Sequence, residues 1–183
     1  MITRIFSRGL LTVFFALAVF ATTHAQAGSS ATAVITHVVG TVQVNGTSAI
    51  SGATVFSDST VTTAAKSSAV VSLGKLGRVE VHENTTMKLS FTDSGISVSM
   101  LSAGRVRVSS SPHATAQATT NDGEVVATGR PQNWFTVDTS CGNTFVSVQK
   151  GTVELRAGST VKQIAAGSQD SAGTATPGCT PAR

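Results

Sequence analysis

The sequence predicts an all-β fold, arranged as a solenoid-like stack of short strands, with a β-sandwich as the alternative. Apolar residues alternate with Ser, Thr or charged residues over segments of four to seven residues, as in Gly95–Met100, and this alternation is typical of half-buried strands. Turn pairs such as Asn45-Gly46 separate these segments and are typical of tight hairpins. No stretch after Ala27 has the apolar period of a helix.

A repeated phrase, Gly-X-Val-X-Val or Gly-X-Val-X-Leu, favours the stack. It occurs four times, at residues 40–44, 77–81, 104–108 and 151–155. In each copy the glycine permits a tight turn, and the two apolar residues point to the same side of a strand. Successive copies are 37, 27 and 47 residues apart, which is too irregular for a strict repeat and compatible with stacked coils that carry insertions.

The first 27 residues have the order of a secretory signal peptide. Arg4 and Arg8 give a basic start, residues 10–21 form an apolar run, and Ala25-Gln26-Ala27 supplies the cleavage site. The apolar run is shorter than the roughly 20 residues that a membrane-spanning helix needs. We therefore predict cleavage after Ala27 rather than a membrane anchor, and we expect the signal peptide to be the only helix.

Cleavage leaves residues 28–183, which we divide into a β domain at 28–167 and a tail at 168–183 rich in Gly, Ala, Ser, Thr and Pro. The formal charge falls from +4 to +2, since 11 basic and 9 acidic residues remain. No later stretch is apolar enough to span a membrane. The predicted location is the periplasm or the extracellular medium.

Cys141 and Cys179 are the only cysteines. Two cysteines in an exported protein predict one disulfide, which would tether the tail to the loop at 139–142. By chain entropy, closing this loop is worth about 3 to 4 kcal/mol. A nucleophilic cysteine is the alternative, but no accompanying Cys/His signature supports it.

Residues that could carry catalysis or bind metal are few. His82-Glu83 begins like the zinc-protease helix motif, but Thr86 stands where the second histidine is required, and the segment has a strand pattern. The nine acidic residues lie mostly in predicted turns or on polar strand faces. We therefore predict no catalytic residues, no cofactor, no metal site and no enzymatic activity.

Arg105 and Arg107 are the candidate interaction residues. They alternate with Val106 and Val108, so both guanidinium groups should leave the same face of one strand, where they could bind a carboxylate, a phosphate or an acidic peptide. A solvated strand face that guards a sheet edge is the alternative. Export, the small mature charge and the lack of basic residues interleaved with aromatics disfavour nucleic-acid binding.

Three of the five aromatic residues after residue 27 are close together in sequence and lie near Cys141. They are Trp134, Phe135 and Phe145. We predict that they form a packed end of the core beneath the disulfide.

These segments, in this order, resemble the FecR family, whose periplasmic domain is an all-β, solenoid-like module. The resemblance rests on residues 40–44, 52–63, 67–81, 102–108 and 149–155 and spans 33–167. The family's "GT.F.V" segment is altered here, because residues 131–133 are inserted within 128–137. FecR signalling proteins also carry a cytoplasmic sigma-binding segment, a membrane helix and a C-terminal receptor-docking domain, none of which we expect in this chain.

The resemblance implies an exported, non-enzymatic binding or scaffold module of the bacterial envelope, with a possible link to signalling. Its partner would be an extracytoplasmic protein or a glycan, recognised by strand faces or by pairing to an exposed edge. A passive structural or glycan-associated envelope protein is the second hypothesis. A hydrolase with dispersed acidic residues is the third.

Overall fold

The alternating segments of the sequence form short strands. The computed structural model describes residues 32–127 and 130–180, and the predicted signal peptide at 1–27 lies outside the described residues, as do Thr128 and Gly129. The described chain contains one short 3₁₀-helix, Gly74–Leu76. It also contains 17 strands: β1 (Thr32–Val39), β2 (Val42–Val44), β3 (Thr47–Ser48), β4 (Thr54–Phe56), β5 (Ser59–Thr63), β6 (Ser68–Ser72), β7 (Gly77–Val81), β8 (Thr85–Phe91), β9 (Gly95–Met100), β10 (Arg105–Ser110), β11 (Thr115–Thr119), β12 (Glu124–Ala127), β13 (Asn133–Asp138), β14 (Thr144–Lys150), β15 (Thr152–Ala157), β16 (Thr160–Ala165) and β17 (Gln169–Ala172).

The strands form two sheets. The first sheet has eight strands in the order β17-β14-β13-β10-β7-β6-β1-β4, and the second has nine in the order β16-β15-β12-β11-β9-β8-β5-β2-β3. Apart from the neighbouring strands at the amino-terminal edges, both sheets grow in chain order, because the chain crosses between them every one or two strands. Neighbouring described strands pair antiparallel, except that β9 and β11 pair parallel.

The core lies between the sheets and is built from one face of each strand. In β10, for example, Val106 and Val108 are fully buried while Arg105 and Arg107 face outward. A single cluster of buried apolar side chains draws on both sheets, and Phe135, Ile35 and Met87 are among its largest fully buried members. Most other members are Val, Ala and Leu, which explains how a chain with few aromatic residues fills its interior.

The glycines of the repeated phrase lie where the chain passes close to a neighbouring segment. Gly77 has φ +134°, and a Cβ atom there would overlap the Ser109 carbonyl oxygen. Gly104 has φ +153°, and a Cβ atom there would lie 2.8 Å from the Thr85 Cα. At these two glycines the phrase therefore encodes a close backbone approach followed by a strand whose valines enter the core.

The all-β prediction is confirmed, and the arrangement is the sandwich-like alternative, with two sheets around one core. The strands are added to both sheets in chain order, so the phrase can recur along the chain without a fixed spacing. The first sheet also continues beyond residue 167, since β17 pairs with β14. Part of the segment predicted as a tail is therefore a strand, and residues 173–180 cross the end of the sandwich.

Two leucines provide a matched test of this core. Leu89 on β8 is fully buried, whereas Leu101, just after β9, is 56% exposed. Leu89→Ala should lower the free energy of unfolding by about 2 to 5 kcal/mol because it leaves a cavity. Leu101→Ala should change it by no more than about 0.5 kcal/mol. Urea unfolding measures both, and equal losses would contradict the placement of β8.

Candidate functional site

The two candidate arginines lie on the outer face of the first sheet. Strand β10, which carries them, pairs with β7 on one side and β13 on the other. Arg105 lies opposite Asp138, and Arg107 lies between Glu80 and Thr136. Each arginine therefore has an acidic residue directly across the ladder on a neighbouring strand, where opposite charges attract.

Arg105 is held in place by Asp138. The Arg105 Nε donates a hydrogen bond to Asp138 Oδ2 at 2.9 Å, and the Asp138 side chain is only 2% exposed. The other carboxylate oxygen of Asp138 accepts a hydrogen bond from the Ser140 backbone N–H at 2.8 Å. Within the described residues, the two terminal nitrogens of Arg105 make no hydrogen bond. Arg105 is thus held through Nε, and its two terminal nitrogens remain available as hydrogen-bond donors.

Arg107 belongs to a second network on the same face. Its Nη1 donates to Glu80 Oε2 at 3.2 Å, and Glu80 also pairs with Arg78 at 3.2 Å. The Arg107 guanidinium carbon lies 5.6 Å from the centre of the Trp134 ring, in a cation–π contact. Arg107 is therefore engaged by an acid and by an aromatic ring, whereas Arg105 is engaged through one nitrogen only.

The aromatic cluster predicted near the disulfide is divided between the core and the surface. Phe135 is fully buried in the core, as predicted. Trp134 and Phe145 instead are half-buried on the outer face of the first sheet. Adjacent residues of a strand point to opposite faces, so Trp134 and Phe135 cannot both enter the core.

A depression of about 420 Å³ lies beside Arg105. Three chain connections line it, between β7 and β8, between β9 and β10, and after β13. We call it the Arg105 depression, and its lining residues are His82, Glu83, Asn84, Ala103, Gly104, Arg105, Asp138 and Ser140. A second depression of about 340 Å³ shares Ala103 with it and is also lined by Asp122, Thr139 and Gly142.

His82 lies next to Arg105 in the ladder, and its backbone N–H donates to the Arg105 carbonyl oxygen at 3.0 Å. Its side chain is half-buried, and Nε2 is buried without a hydrogen-bond partner among the described residues. Burial, followed by the positive charges of Arg105 and Arg107, lowers the pKa of His82 from its usual 6.5. His82 is therefore neutral at pH 7.

The acidic residues of the Arg105 depression are already engaged. Asp138 holds Arg105, and Glu83 Oε2 accepts a hydrogen bond from the Lys66 backbone N–H at 2.6 Å. The unused hydrogen-bonding capacity of the depression therefore includes the terminal nitrogens of Arg105, whereas the unpartnered Nε2 of His82 is buried. Guanidinium donors suit recognition of carbonyl or carboxylate oxygens. In the described ranges, no three His, Cys, Asp or Glu side chains are grouped to hold a metal ion.

The disulfide between Cys141 and Cys179 is present, as predicted. It fixes a segment that follows β17 and crosses the same end of the sandwich. Gly173 packs directly against the Asp122 side chain, where a Cβ atom would collide, and the Thr176 backbone N–H donates to the Cys141 carbonyl oxygen at 2.8 Å. The crosslinked tail therefore borders the second depression.

Sequence reasoning identified the arginines but missed their surroundings. The sequence pattern indicated His82 only as part of an incomplete zinc-protease motif, and Asp138 only as one of the nine acidic residues. Alternation with Trp134 and Thr136 places Asp138 on an outer strand face, but its pairing with Arg105 depends on which strands are neighbours. Sequence periodicity does not specify that pairing.

No helix within residues 32–127 and 130–180 is long and apolar enough to cross a membrane.

Comparison with known proteins gives a likeness of fold. No protein-family model matches the chain, and no curated protein matches it. Among solved structures, the chain is similar to a crystal structure from Parabacteroides distasonis whose protein is described as a "putative anti-sigma factor". The TM-score is 0.51 at 17% sequence identity, and the match covers 67% of this chain and 57% of that one. It thus spans little more than half of the neighbour's length and supports the β fold alone.

The Arg105 anchor can be tested by removing its buried acid. Asp138→Ala should lower the free energy of unfolding by about 2 to 4 kcal/mol, because it leaves a half-buried guanidinium group without its counter-ion. The control is Glu154→Ala, since Glu154 pairs with Arg156 on the surface. The control should change stability little, because exposed ion pairs contribute little. Urea unfolding of both variants measures the difference, and an equally small loss in Asp138→Ala would contradict the anchoring role.

The pKa of His82 predicts a pH dependence of stability. Because the pKa is lower in the folded chain than the usual 6.5, the unfolded chain takes up the proton first as the pH falls. Stability should therefore be complete above about pH 6.5 and decrease as the pH falls through the lowered pKa. His82→Gln should reduce this loss, and His113→Gln at an exposed site is the control. Urea midpoints measured across this pH range test it; an unchanged slope in His82→Gln would refute it.

Proposed function

We propose that the protein is an exported, non-enzymatic, FecR-like binding module of the bacterial envelope, and that it recognises an extracytoplasmic protein at the Arg105 depression. This proposal rests on how the Arg105 side chain is held. Its stem is fixed by a buried carboxylate, and its two terminal nitrogens remain available beside a depression of about 420 Å³. A donor that is held before the partner arrives loses little freedom on binding.

Several features support export. The first 27 residues have the order of a signal peptide, and the Cys141–Cys179 disulfide is of the kind that persists in oxidising compartments. A periplasmic or secreted location agrees with both features.

The FecR-like character is supported by the serial order of the repeated phrases. Each copy contributes a strand, and three of these strands, β2, β10 and β15, follow a crossing between the two sheets. The fold likeness to a protein described as a "putative anti-sigma factor" supports a place in a signalling system. A sigma-factor gene beside the gene for this protein is the expected genomic context.

The alternative of a passive envelope component is favoured by one observation. The outer face of the second sheet is rich in small polar side chains such as Thr62, Thr86, Ser97 and Ser99, and hydroxyl groups hydrogen-bond readily to glycans. The ion pair of Arg156 with Glu154 on this face is more exposed than the pair of Arg105 with Asp138. We therefore place recognition at the first sheet.

Affinity capture tests the proposal. The exported protein is immobilised and exposed to periplasmic extract of its own source, with Arg105→Lys as the test variant. Lysine keeps the positive charge and can still pair with Asp138, but it lacks the planar group with several donors. Arg78→Lys is the control, because the Arg78 side chain is 51% exposed and pairs only with Glu80.

The wild type and Arg78→Lys should capture the same discrete protein, and Arg105→Lys should capture it at least about tenfold more weakly, a change of about 1.4 kcal/mol. Equal capture by all three proteins would show that Arg105 does not contribute to the interface. Association of all three with insoluble cell-wall material, with no discrete protein, would favour the passive structural function.

A further inference from the structure

The sandwich has two lateral ends, one formed by the edge strands β3 and β4 and the other by the edge strands β16 and β17. These two ends differ in how their edge strands are protected. At the carboxy-terminal end, the edges are β16 in the second sheet and β17 in the first. Lys162 of β16 reaches across to β17, where its Nζ donates to Asp170 Oδ1 at 2.8 Å and to the Ser171 carbonyl oxygen at 3.0 Å. A charged side chain that joins two edge strands in this way opposes the addition of further strands.

The amino-terminal end has no such bridge among the described residues. Its edges are β4 in the first sheet and β3 in the second. Phe56 of β4 is 57% exposed, Val34 on the neighbouring strand β1 is 40% exposed, and Ile50 in the connection from β3 to β4 is 72% exposed. Phe56 and Val34 lie diagonally on the same face, because Val34 pairs with Thr54.

The open side of β4 also presents backbone groups. In an antiparallel ladder, hydrogen-bonded and non-hydrogen-bonded pairs alternate. The Ile35 backbone N–H donates to the Ala53 carbonyl oxygen at 2.9 Å, so Ala33 with Val55 is the next hydrogen-bonded pair. The N–H and C=O groups of Thr54 and Phe56 therefore point away from β1, toward the open edge.

This end of the protein also lacks charged side chains. Residues 28–57 contain no Asp, Glu, Lys or Arg, and the 20 charged residues of 28–183 all lie from Asp58 onward. His37 is the only titratable side chain in 28–57. The charged side chains that commonly guard an exposed edge are therefore missing beside the exposed side chains of Phe56, Val34 and Ile50.

The lack of charge indicates the kind of partner. When the same edge from two copies meets across a two-fold axis, residues at the axis lie near their own equivalents, so any charge close to the axis would lie near a like charge. An uncharged edge is therefore suited to self-pairing, whereas it offers no ionic group with which to select a different protein. Because the opposite end is closed by Lys162 and Asp170, a head-to-tail filament is opposed and a closed dimer is favoured.

We propose that β4 is a dimerisation edge, which pairs antiparallel with β4 of a second copy and joins the two first sheets into one. An axis at Val55 places Thr54 of one copy opposite Phe56 of the other. Their outward backbone groups then form the hydrogen bonds of the new ladder. Phe56 and Val34 are covered on the outer face, and Val55 extends the core across the junction.

Analytical ultracentrifugation of the exported protein tests this edge. Thr54→Pro removes one outward N–H at an edge position that tolerates proline, and Phe56→Lys places like charges near each other across the axis. Val161→Lys is the matched control, because Val161 is 58% exposed on the edge strand at the other end. Circular dichroism confirms that each variant is folded.

The wild type and Val161→Lys are expected to be dimers at micromolar concentration. Thr54→Pro and Phe56→Lys are expected to raise the dimer Kd at least about tenfold. A wild type that stays monomeric up to about 0.1 mM overturns the proposal, as does a dimer that neither substitution weakens. A protein that stays monomeric and binds an extended peptide at β4 also overturns the proposal. Arg105→Lys should remain dimeric, so this test is independent of the Arg105 depression.

Discussion

The close approach of neighbouring backbone segments, at positions that require glycine, is the constraint on which the rest of the structure depends. Gly77 at the start of β7 and Gly104 just before β10 have positive φ, and a Cβ atom there would collide with Ser109 of β10 and with Thr85 of β8, respectively. Since each of these glycines leads directly into a strand, the close approach helps set how the strands stack. The core can then be filled with Val, Ala and Leu, which are small enough for closely stacked strands.

The candidate site depends on the same close approach. Thr85, fully buried against Gly104, accepts a hydrogen bond from the Arg105 backbone N–H at 2.9 Å and donates one to the Glu83 carbonyl oxygen at 3.0 Å. Thr63 in turn donates to the His82 carbonyl oxygen at 2.5 Å. Buried hydroxyl groups therefore satisfy backbone groups where the sheet ladders are interrupted. Some Ser and Thr residues of the chain therefore serve the backbone, and others cover the outer strand faces.

Local sequence patterns specified which side of a strand each residue occupies, but not which strands are neighbours. Alternation was enough to place Arg105 and Arg107 on one outer face and Val106 and Val108 in the core. The pairing of Arg105 with Asp138, which lies 33 residues further along the chain, could not be read in the same way. Every strand offers the same backbone donors and acceptors, so neighbours are selected by packing and by the crossings. Trp134 and Phe135 were predicted together because they are adjacent and aromatic, and strand alternation separates them.

The distribution of charge along the sandwich links the two proposed surfaces. The amino-terminal edge is uncharged over residues 28–57, the middle of the first sheet carries the paired arginines, and the carboxy-terminal edges are joined by Lys162 and Asp170. Three strands, β1, β6 and β7, separate β4 from β10 in the first sheet, so pairing through β4 leaves the Arg105 depression uncovered. A dimer would therefore present two such depressions in a fixed relation. Two linked sites of modest affinity can hold a dimeric or repetitive partner far more tightly than one site, with no additional contact. A module with few charges and a small polar site gains most from this arrangement, because neither surface needs to bind strongly alone.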